Sequence, residues 1–417
     1  MMRDNGSVFL GALLVAGTSI GGGMLALPIL TCLGGFIPSL FIYLLCWIFM
    51  TLTGLLFLEV CLWLGNEANI MTMSRQILGR RATFFTVVIY LFLFYSLTLA
   101  YLVGGGQFMT DLSGGALSPE WSILLFLLIF APFVCCGARS VGSVNAPMMM
   151  GLVVSYFVFV FFGLSYVKAE NLQNCNWSLS LFAIPVTFTS FGYQGVIPSL
   201  FAYLNRDYRK TRFAIIVGSF IPFAAYVVWE YLILGIIPLE GENSLSLALQ
   251  KGESAIQPLK YHLDNPWVLA MGQFFAFFAL VTSFLGVTLG LMDFLADGLR
   301  SYIVGKKRIF LWLLVFFPPL FGAFFSPNIF LSSLNYAGGF GCALLLGLLP
   351  ILMVWIGRYQ KKKVSEYRLI GGKFLLIILF IFVAVEIGFE IFQEMGWMQI
   401  SPDAETQIYM GDELSNL

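Results

Sequence analysis

The sequence predicts an all-α polytopic membrane protein with eleven transmembrane helices, and its composition, apolar segments and basic residues each indicate this. Of its 417 residues, 59% are hydrophobic and 11% are charged, whereas a soluble domain has about 25% charged residues. Crossing a bilayer takes about 20 apolar residues. Segments of this kind lie at 7–31, 35–64, 83–110, 121–138, 144–166, 179–203, 213–237, 267–297, 309–326, 333–356 and 371–394.

The Lys and Arg residues predict how these spans are oriented. All but three of the 22 basic residues fall on the side of the N-terminus, and the exceptions are Lys168, Lys251 and Lys260. Because cytoplasmic loops carry the excess of Lys and Arg, we expect a cytoplasmic N-terminus. An odd number of spans then places the C-terminus outside. The stretch 396–417 contains acidic residues but no basic ones, which agrees with an acidic outer tail.

Several function classes find no support in the sequence. The net charge is zero, from 22 basic and 22 acidic residues, so nothing indicates nucleic-acid binding. The seven cysteines show no CxxC spacing and are interpreted as small buried hydrophobic residues. We find no nucleophile–base pair, metal cluster or phosphate loop, so we expect neither an enzyme nor a cofactor. The partners we expect are the lipid bilayer and a small molecule, with no obligate protein partner.

The first span contains the sequence GTSIGGG at residues 17–23. A membrane helix must satisfy its own backbone groups, because the bilayer core contains no water to bond them. Each of the four glycines weakens the helix by about 1 kcal/mol relative to alanine. One interpretation is a discontinuous helix whose free N–H and C=O groups bind a ligand. The other is a close helix–helix contact, where small residues are common.

An internal repeat connects the first span with the sixth. TSIG at residues 18–21 recurs as TSFG at 189–192, and IPSL at 37–40 recurs at 197–200. Two interrupted helices that open two five-span halves are typical of transporters with a site at the repeat interface. An odd number of spans per half makes the repeats inverted, with the eleventh span outside them. The predicted divisions are a transmembrane core at 1–356 (repeats at about 7–166 and 179–356), a cytoplasmic loop with helix eleven at 357–395, and an outer tail at 396–417.

Two broken helices would bind a zwitterion. The amino end of a half-helix at Gly21 to Gly23 suits a carboxylate, and unpaired carbonyls at 17–20 and 188–190 suit an ammonium group or a cation. Phe191 and Tyr193 either stack on an aromatic substrate or serve as packing only. The candidate substrate-binding residues are Thr18, Ser19, Gly21, Gly22, Gly23, Thr189, Ser190, Phe191, Gly192 and Tyr193.

The eighth span contains two adjacent hydroxyl residues, Thr282 and Ser283. Together with carbonyls from the first break they offer oxygen ligands for a small cation such as Na⁺. The alternative is that both hydroxyls bond carbonyls of their own helix, as Ser and Thr in membrane helices often do. Asp293 and Asp297 lie further along this span, where they line an inner vestibule or are ordinary interfacial carboxylates.

Acidic residues inside apolar segments are functional candidates, because an ionised group at mid-membrane costs about 2.5–3.5 kcal/mol on insertion scales. Glu230 lies deep in the seventh span and is a candidate proton site, as is Asp293. Glu59 lies near the end of its span. Glu386 and Glu390 form, with Glu394, an acidic stripe on the final helix.

The stretch GTSIGGGMLALP at residues 17–28 resembles the first span of bacterial tyrosine- and tryptophan-specific permeases, the hydroxy/aromatic amino acid permease family. The resemblance is strongest to the tyrosine permease branch and runs in order along nearly the whole chain. The further matching stretches are LEV at 58–60, IPV at 184–186, FTSFG at 188–192, IPS at 197–199, TSFLG at 282–286, Asp293 with LAD at 295–297, and YAG at 336–338.

The resemblance implies the five-plus-five inverted-repeat fold of the amino acid–polyamine–cation superfamily, which is LeuT-like, in the bacterial inner membrane. It implies import of an aromatic amino acid, tyrosine first, by cation symport with alternating access. Carried over by position, Gly21 to Gly23 match a carboxylate-binding motif. The matches to the cation site of sodium-coupled relatives are Gly17, Ile20 and Ala279 through carbonyls and Thr282 and Ser283 through hydroxyls.

The resemblance leaves open which ion is coupled to transport. Bacterial permeases of this kind are generally regarded as proton-coupled, yet both hydroxyls of the sodium site are present at Thr282 and Ser283. The coupling ion is therefore expected to be H⁺ or Na⁺. Two alternatives to an aromatic substrate also stay open: a permease for another small neutral or hydroxy amino acid, and a membrane receptor that binds its ligand without moving it.

Overall fold

A computed structural model describes residues 7–64, 69–298, 308–326, 328–395 and 397. All the regular structure in these ranges is helical. The α-helices are α1 (Val8–Ser19), α2 (Gly23–Thr31), α3 (Phe36–Leu64), α4 (Ile70–Ile77), α5 (Arg80–Leu112), α6 (Pro119–Cys136), α7 (Ala138–Gly163), α8 (Trp177–Ser180), α9 (Ile184–Ser190), α10 (Ile197–Tyr203), α11 (Tyr208–Ile236), α12 (Leu245–Lys251), α13 (Ile256–Leu259), α14 (Pro266–Gly298), α15 (Arg308–Phe325), α16 (Phe330–Tyr336), α17 (Leu349–Trp355) and α18 (Gly372–Glu394).

Two stretches are π-helices, in which each N–H bonds the carbonyl five residues before it. They are π1 (Ala337–Leu348) and π2 (Ile356–Gln360), and they flank α17. Together with α16 these stretches form a single span over Phe330–Gln360. Because π-helical turns are rare and concentrate at functional sites, the length of π1, 12 residues, marks this span as unusual.

The long apolar helices agree with a membrane protein, but the predicted count of eleven spans is not confirmed. Within the described residues, eight continuous helices are long and apolar enough to span, and α1 with α2 makes a ninth as one bent segment. The predicted sixth span is divided among short helices, and an apolar helix over Phe310–Phe325 is shorter than a full span. The count of eleven and the inverted repeat stay predictions.

Both predicted interruptions are present. In the first, α1 ends where Ile20 becomes extended (ψ 110°), and α2 resumes at Gly23 at an angle of 56° to α1. In the second, α9 ends at Ser190 and α10 begins at Ile197. We call residues 20–22, together with Gly23 at the start of α2, the first break, and residues 191–196 the second break.

The broken helices lie inside a layer of long helices. Helix α1 packs on α11, and α2 contacts α9, so the two broken segments meet. Helices α14 and α7 pack together, and π1 packs on α9, α5 and α18. Met24, Leu25, Ala26 and Leu27 of α2 have no exposed surface. Protein therefore surrounds this half-helix, as is required where irregular backbone lies within the bilayer.

Glu59 is buried and paired rather than directed to the membrane surface. Its carboxylate accepts hydrogen bonds from Nε of Arg358 at 2.6 Å and from the Leu369 N–H at 3.1 Å, and it also pairs with Nη2 of Arg358. A buried charge of this kind is stable when it is paired and hydrogen-bonded. Glu59 therefore joins α3 to π2 and to the segment that precedes α18.

Candidate functional site

A cavity of about 440 Å³ lies at the two breaks. Its walls come from both breaks and from α5, α7, α14 and π1. Among the described residues, none of the side chains lining it is charged. A charged ligand in this cavity would therefore be held by backbone dipoles and hydroxyl groups. The sequence predicted this, because no Lys or Arg falls inside a span.

Most of the predicted substrate- and cation-binding residues line this cavity, and four do not. Those that line it are Gly17, Thr18, Ser19, Gly21, Gly23, Thr189, Ser190, Gly192, Tyr193, Thr282 and Ser283. Those outside the lining are Ile20, Gly22, Phe191 and Ala279. Phe191 has no exposed surface and packs edge-on against Tyr226, with ring centroids 5.1 Å apart. In this conformation Phe191 is a packing residue.

The glycines of the first break are required by close contacts, since none of them has a positive φ. A Cβ on Gly22 would lie 2.6 Å from Cε1 of Tyr101, and a Cβ on Gly23 would lie 2.7 Å from Oγ of Ser190. A Cβ on Gly21 would overlap the Ser283 hydroxyl. The broken helix and the close helix–helix contact are therefore both present at the same residues.

One hydroxyl connects the two breaks. The side chain of Tyr226, which has no exposed surface, donates to the Ser19 carbonyl and to the Ser190 carbonyl, at 2.7 Å in each case. These carbonyls are the last of α1 and α9, where a helix end leaves its carbonyls without helical partners. Tyr226 lies on α11 and carries no motif that would have predicted this contact.

The second break is held against α3 by polar side chains. The Gln194 side chain accepts from the Tyr193 N–H at 3.0 Å and donates to the Met50 carbonyl and the Thr53 hydroxyl at 3.1 Å. The Tyr193 hydroxyl also donates to the Met50 carbonyl, at 3.2 Å. Gln194 is fully buried and fully bonded, so it stabilises the irregular backbone here.

Thr282 and Ser283 bring their hydroxyls to the cavity, and each already has a partner. Thr282 donates to the Phe278 carbonyl at 2.8 Å, four residues earlier in its own helix, which is the alternative raised from the sequence. Ser283 accepts from the Gly22 N–H at 3.1 Å. A hydroxyl oxygen has two lone pairs, so both residues keep the capacity to bind a cation.

The candidate proton residues lie outside the cavity lining. Glu230 is fully buried and accepts from the Thr31 hydroxyl and, at 2.7 Å, from the Tyr43 hydroxyl. It joins α11 to α2 and α3. Asp293 is exposed on α14. The side chain of Asp297 falls outside the described part of the structure.

Several lining residues were not predicted from the sequence. Tyr90, Phe94 and Tyr101 on α5 give the cavity an aromatic wall, and Tyr90 stacks on Phe94 with ring centroids 4.2 Å apart. Asn145 on α7 presents a buried Oδ1 that has no hydrogen-bond partner among the described residues. Both helices are continuous here, so no interruption in the sequence singled these positions out.

Comparison with known proteins agrees with this architecture. The profile of the tryptophan/tyrosine permease family matches residues 4–390. The chain is 35% identical to tyrosine-specific transport system 1 of Haemophilus influenzae, over 88% of this chain and 92% of that protein. It is 30% identical to the tryptophan-specific transport protein of the same organism, over 95% of this chain and 98% of that protein.

A solved structure shows the same fold. The crystal structure of MhsT in complex with L-phenylalanine covers 93% of this chain and 98% of its own, with a TM-score of 0.64 and 15% identity. The predicted all-α, LeuT-like fold class is confirmed by this likeness. The chain belongs to the tryptophan/tyrosine permease family and is accordingly a transport protein rather than an enzyme.

Proposed function

We propose that this protein is a secondary active transporter that imports an aromatic amino acid, with tyrosine preferred over tryptophan and phenylalanine, by symport with H⁺ or Na⁺. The observation that carries the proposal is the uncharged cavity lined by both breaks. Tyrosine comes first because the relative that is 35% identical is a tyrosine-specific system, and the tryptophan-specific one is 30% identical.

The amino end of α2 is the proposed carboxylate site. Gly21 and Gly23 line the cavity, and the first N–H groups of a helix have no partners inside that helix. The dipole of α2 adds partial positive charge at this end. Since Gly21 and Gly23 have no Cβ, the carboxylate can approach the backbone itself.

The carbonyl ends of α1 and α9 are the proposed ammonium site. Ser19 and Ser190 line the cavity, and their carbonyls share the single hydroxyl proton of Tyr226. Each carbonyl oxygen has two lone pairs and keeps one for the substrate. An ammonium group bonded to both would hold the two breaks together, which provides a reason for substrate binding to favour one conformation of the transporter.

The size and walls of the cavity suit an aromatic side chain. Its volume of about 440 Å³ lies within the usual range for small-molecule sites, roughly 300–1,000 Å³. Tyr90, Phe94 and Tyr101 offer ring faces and edges on which an aromatic substrate can pack. The unbonded Oδ1 of Asn145 offers an acceptor to a phenolic hydroxyl, which tyrosine has and phenylalanine lacks.

The proposed cation site combines the Gly17, Ile20 and Ala279 carbonyls with the Thr282 and Ser283 hydroxyls. Thr282 and the Ala279 carbonyl are already within 3.3 Å, so these two oxygen atoms are close enough to share an ion. Glu230 and Asp293 are the alternative sites should the coupled ion be H⁺. We place the protein in the bacterial inner membrane, with the N-terminus cytoplasmic and the C-terminus periplasmic.

Transport in proteoliposomes tests the proposal. Purified protein is reconstituted, and uptake of labelled tyrosine is measured under a proton gradient, under a sodium gradient and under neither. We expect one gradient to drive accumulation, and tyrosine, tryptophan and phenylalanine to compete better than small neutral or hydroxy amino acids. Saturable binding without flux would instead identify a receptor, and competition mainly by serine or glutamine would identify another amino acid permease.

Asn145 gives a sharper test of the preference for tyrosine. A buried acceptor left without its donor discriminates strongly against a substrate that lacks the hydroxyl. In Asn145→Leu we expect the preference for tyrosine over phenylalanine to fall by about tenfold. Uptake of phenylalanine should change little. An unchanged ratio would remove Asn145 from the substrate site without affecting the rest of the proposal.

A further inference from the structure

The final helix, α18, carries two acids that the substrate site does not use. Its buried face consists of Leu376, Leu379, Val383, Glu386 and Glu390. This spacing of three and four residues defines a single stripe of an α-helix. The opposite side exposes Ile381 and Val385, as expected of a lipid-facing surface. Both carboxyl groups therefore point into the protein.

Within the part of the chain that the structure describes, Glu386 has no hydrogen-bond partner for either carboxyl oxygen and Glu390 has none for Oε2, although the two residues are only 3% and 2% exposed. The other two buried acids are different, because Glu59 pairs with Arg358 and Glu230 accepts from two hydroxyls. An ionised carboxylate buried without a donor is very costly. A second acid one helical turn away adds repulsion.

The groups that face the pair supply no positive charge. Among the described residues they are Cys46 of α3, Tyr336 at the end of α16 and Glu394 of α18 itself. Helices α9 and α17, which also pack on α18, contain no titratable residue. Helix π1 contributes only Cys342, which lines the cavity on its other side. Proton binding is the neutralisation that this environment allows.

Glu390 lies one helix away from the cavity. Helix π1 is the layer between them: a Cβ on Gly339 would lie 2.8 Å from Cδ of Glu390, whereas Cys342, Leu345 and Leu346 line the cavity. The same helix packs on α9, the half-helix that ends at the second break. A change of charge at Glu390 would therefore act on the wall of the cavity through π1.

We propose that Glu386 and Glu390 form a proton-binding site on α18 whose occupancy is coupled to substrate transport through π1. This inference rests on the proposed function and identifies its coupling ion as H⁺. Glu394, four residues beyond Glu390, is exposed and gives the site an outlet at the end of the helix predicted to face the periplasm. The proton enters from the periplasmic side, binds to a carboxylate oxygen of Glu386 or Glu390, and is released inside the cell with the substrate.

The test compares Glu386→Gln and Glu390→Gln with Glu240→Gln, which removes the same charge from an exposed outer loop. Two assays are run in proteoliposomes. Tyrosine counterflow, which needs no ion gradient, reports substrate binding and alternating access. Accumulation under a proton gradient, with tyrosine-dependent proton influx measured by an internal pH dye, reports coupling.

We expect both variants on α18 to keep counterflow and to lose proton-driven accumulation by about tenfold or more, a usual size for coupling between two sites. Glu240→Gln should behave as the unmodified protein. If the unmodified protein shows no tyrosine counterflow, the proposed function itself is rejected. Proton-driven accumulation that persists in both variants, or uptake driven by sodium without proton influx, would overturn the proton site alone.

Infrared spectroscopy keeps the proposal testable should a variant be inactive for structural reasons. The unmodified protein should show a protonated carboxylic acid C=O band that loses intensity in Glu386→Gln. Since Gln is close in shape to a neutral Glu, the melting temperature of that variant in detergent should not fall. A spectrum without such a band, or one in which the band keeps its full intensity in the variant, would contradict a protonated Glu386.

Discussion

The two breaks are built in opposite ways. At the first break, Gly21, Gly22 and Gly23 have neighbours so close that a Cβ on any of them would overlap a side chain of α14, α5 or α9. At the second break, a Cβ on Gly195 would meet nothing within 4 Å. A Cβ on Gly192 would lie 3.2 Å from the Thr189 carbonyl oxygen. The second break therefore has room at Gly195 but not at Gly192, whereas every glycine of the first break is closely packed.

At the second break, buried side chains hold the irregular backbone in place. Phe191, Tyr193 and Gln194 are all buried, and Gln194 bonds both its neighbour and α3. The first break has no buried side chain of its own that bonds its backbone. Its backbone is instead bonded by Ser283 of α14 and Tyr226 of α11. Substitutions should therefore be most damaging at the first break, where even one added carbon has no space.

Gly22→Leu is expected to have the largest effect. The new side chain would occupy the position of the Tyr101 ring and displace the Gly22 N–H from Ser283. A displacement of about 1 Å in a binding site can cost about 100-fold in rate, so tyrosine uptake should fall by that much or more. Uptake is measured in proteoliposomes at matched protein amounts.

A control glycine distinguishes this effect from a general loss of helix flexibility. Gly142 lies on α7, and a Cβ added there would meet nothing within 4 Å, so Gly142→Leu should keep most of the uptake. Membrane insertion is checked for both variants by the amount of folded protein recovered. Normal uptake in Gly22→Leu would show that the first break is not part of the site.

Tyr226→Phe should have the next largest effect, because it removes the hydroxyl shared by both breaks while keeping the ring that packs on Phe191. A buried polar group left without its partner costs about 1–3 kcal/mol. We expect uptake to fall about tenfold, since 1.4 kcal/mol corresponds to a factor of ten. The affinity for tyrosine is measured alongside the rate.

Tyr156→Phe is the matched control for that variant. Its hydroxyl donates to the Ala225 carbonyl at 2.9 Å and joins α7 to α11, and Tyr156 is not among the residues that line the cavity. Both variants lose one bond between a tyrosine and a carbonyl, so both should lower the melting temperature. Only Tyr226→Phe should lower uptake strongly, and equal losses in the two would mean that Tyr226 serves stability alone.

The comparison also shows what the sequence could predict. Both breaks were predicted because the glycines at 17–23 and the repeated TSFG at 189–192 are local departures from a regular membrane helix. Composition and segment length predicted the helical membrane class. These features depend on neighbouring residues in the chain, so a single sequence contains them.

Contacts between distant segments could not be predicted in this way. Tyr101 and Tyr226 lie in continuous apolar helices, and only the fold brings them to Gly22 and Ser190. The sequence left open whether Phe191 stacks on a substrate or serves as packing, and the structure packs it against Tyr226. Phe191 and Tyr193 lie between α9 and α10, so helical periodicity could not predict which of the two side chains faces the cavity.

The double variant Thr282→Ala with Ser283→Ala examines whether the first break also holds an ion. Both hydroxyls line the cavity beside that break, and removing them deletes two of the proposed oxygen ligands. Any stimulation of uptake by sodium should fall roughly 5-fold or more, the lower end of ordinary coupling between two ligands. Uptake is measured with sodium replaced by a large organic cation.

Thr288→Ala provides the control on the same helix. That hydroxyl donates to the Phe284 carbonyl at 2.5 Å and lies outside the cavity lining, so its loss should leave the response to sodium as it was. A double variant that keeps the full sodium response would exclude the hydroxyls as ligands. Uptake that never responds to sodium would agree with a coupling proton on α18.

Gly195→Ala should have the smallest effect, and it tests the contrast between the breaks most directly. Gly195 lines the cavity, but its Cβ would meet no protein atom within 4 Å and one methyl group is small beside a volume of about 440 Å³. We therefore expect a change in uptake of about twofold, as for other substitutions that meet no neighbour. Gly23→Ala adds the same methyl group 2.7 Å from Oγ of Ser190 and should be clearly more damaging. Because the chemical change is identical, a difference in uptake reports only the space around each break. Equal effects would mean that the side chains around the first break can move to accommodate an added methyl group. The glycines would then be needed for ligand binding rather than for close packing.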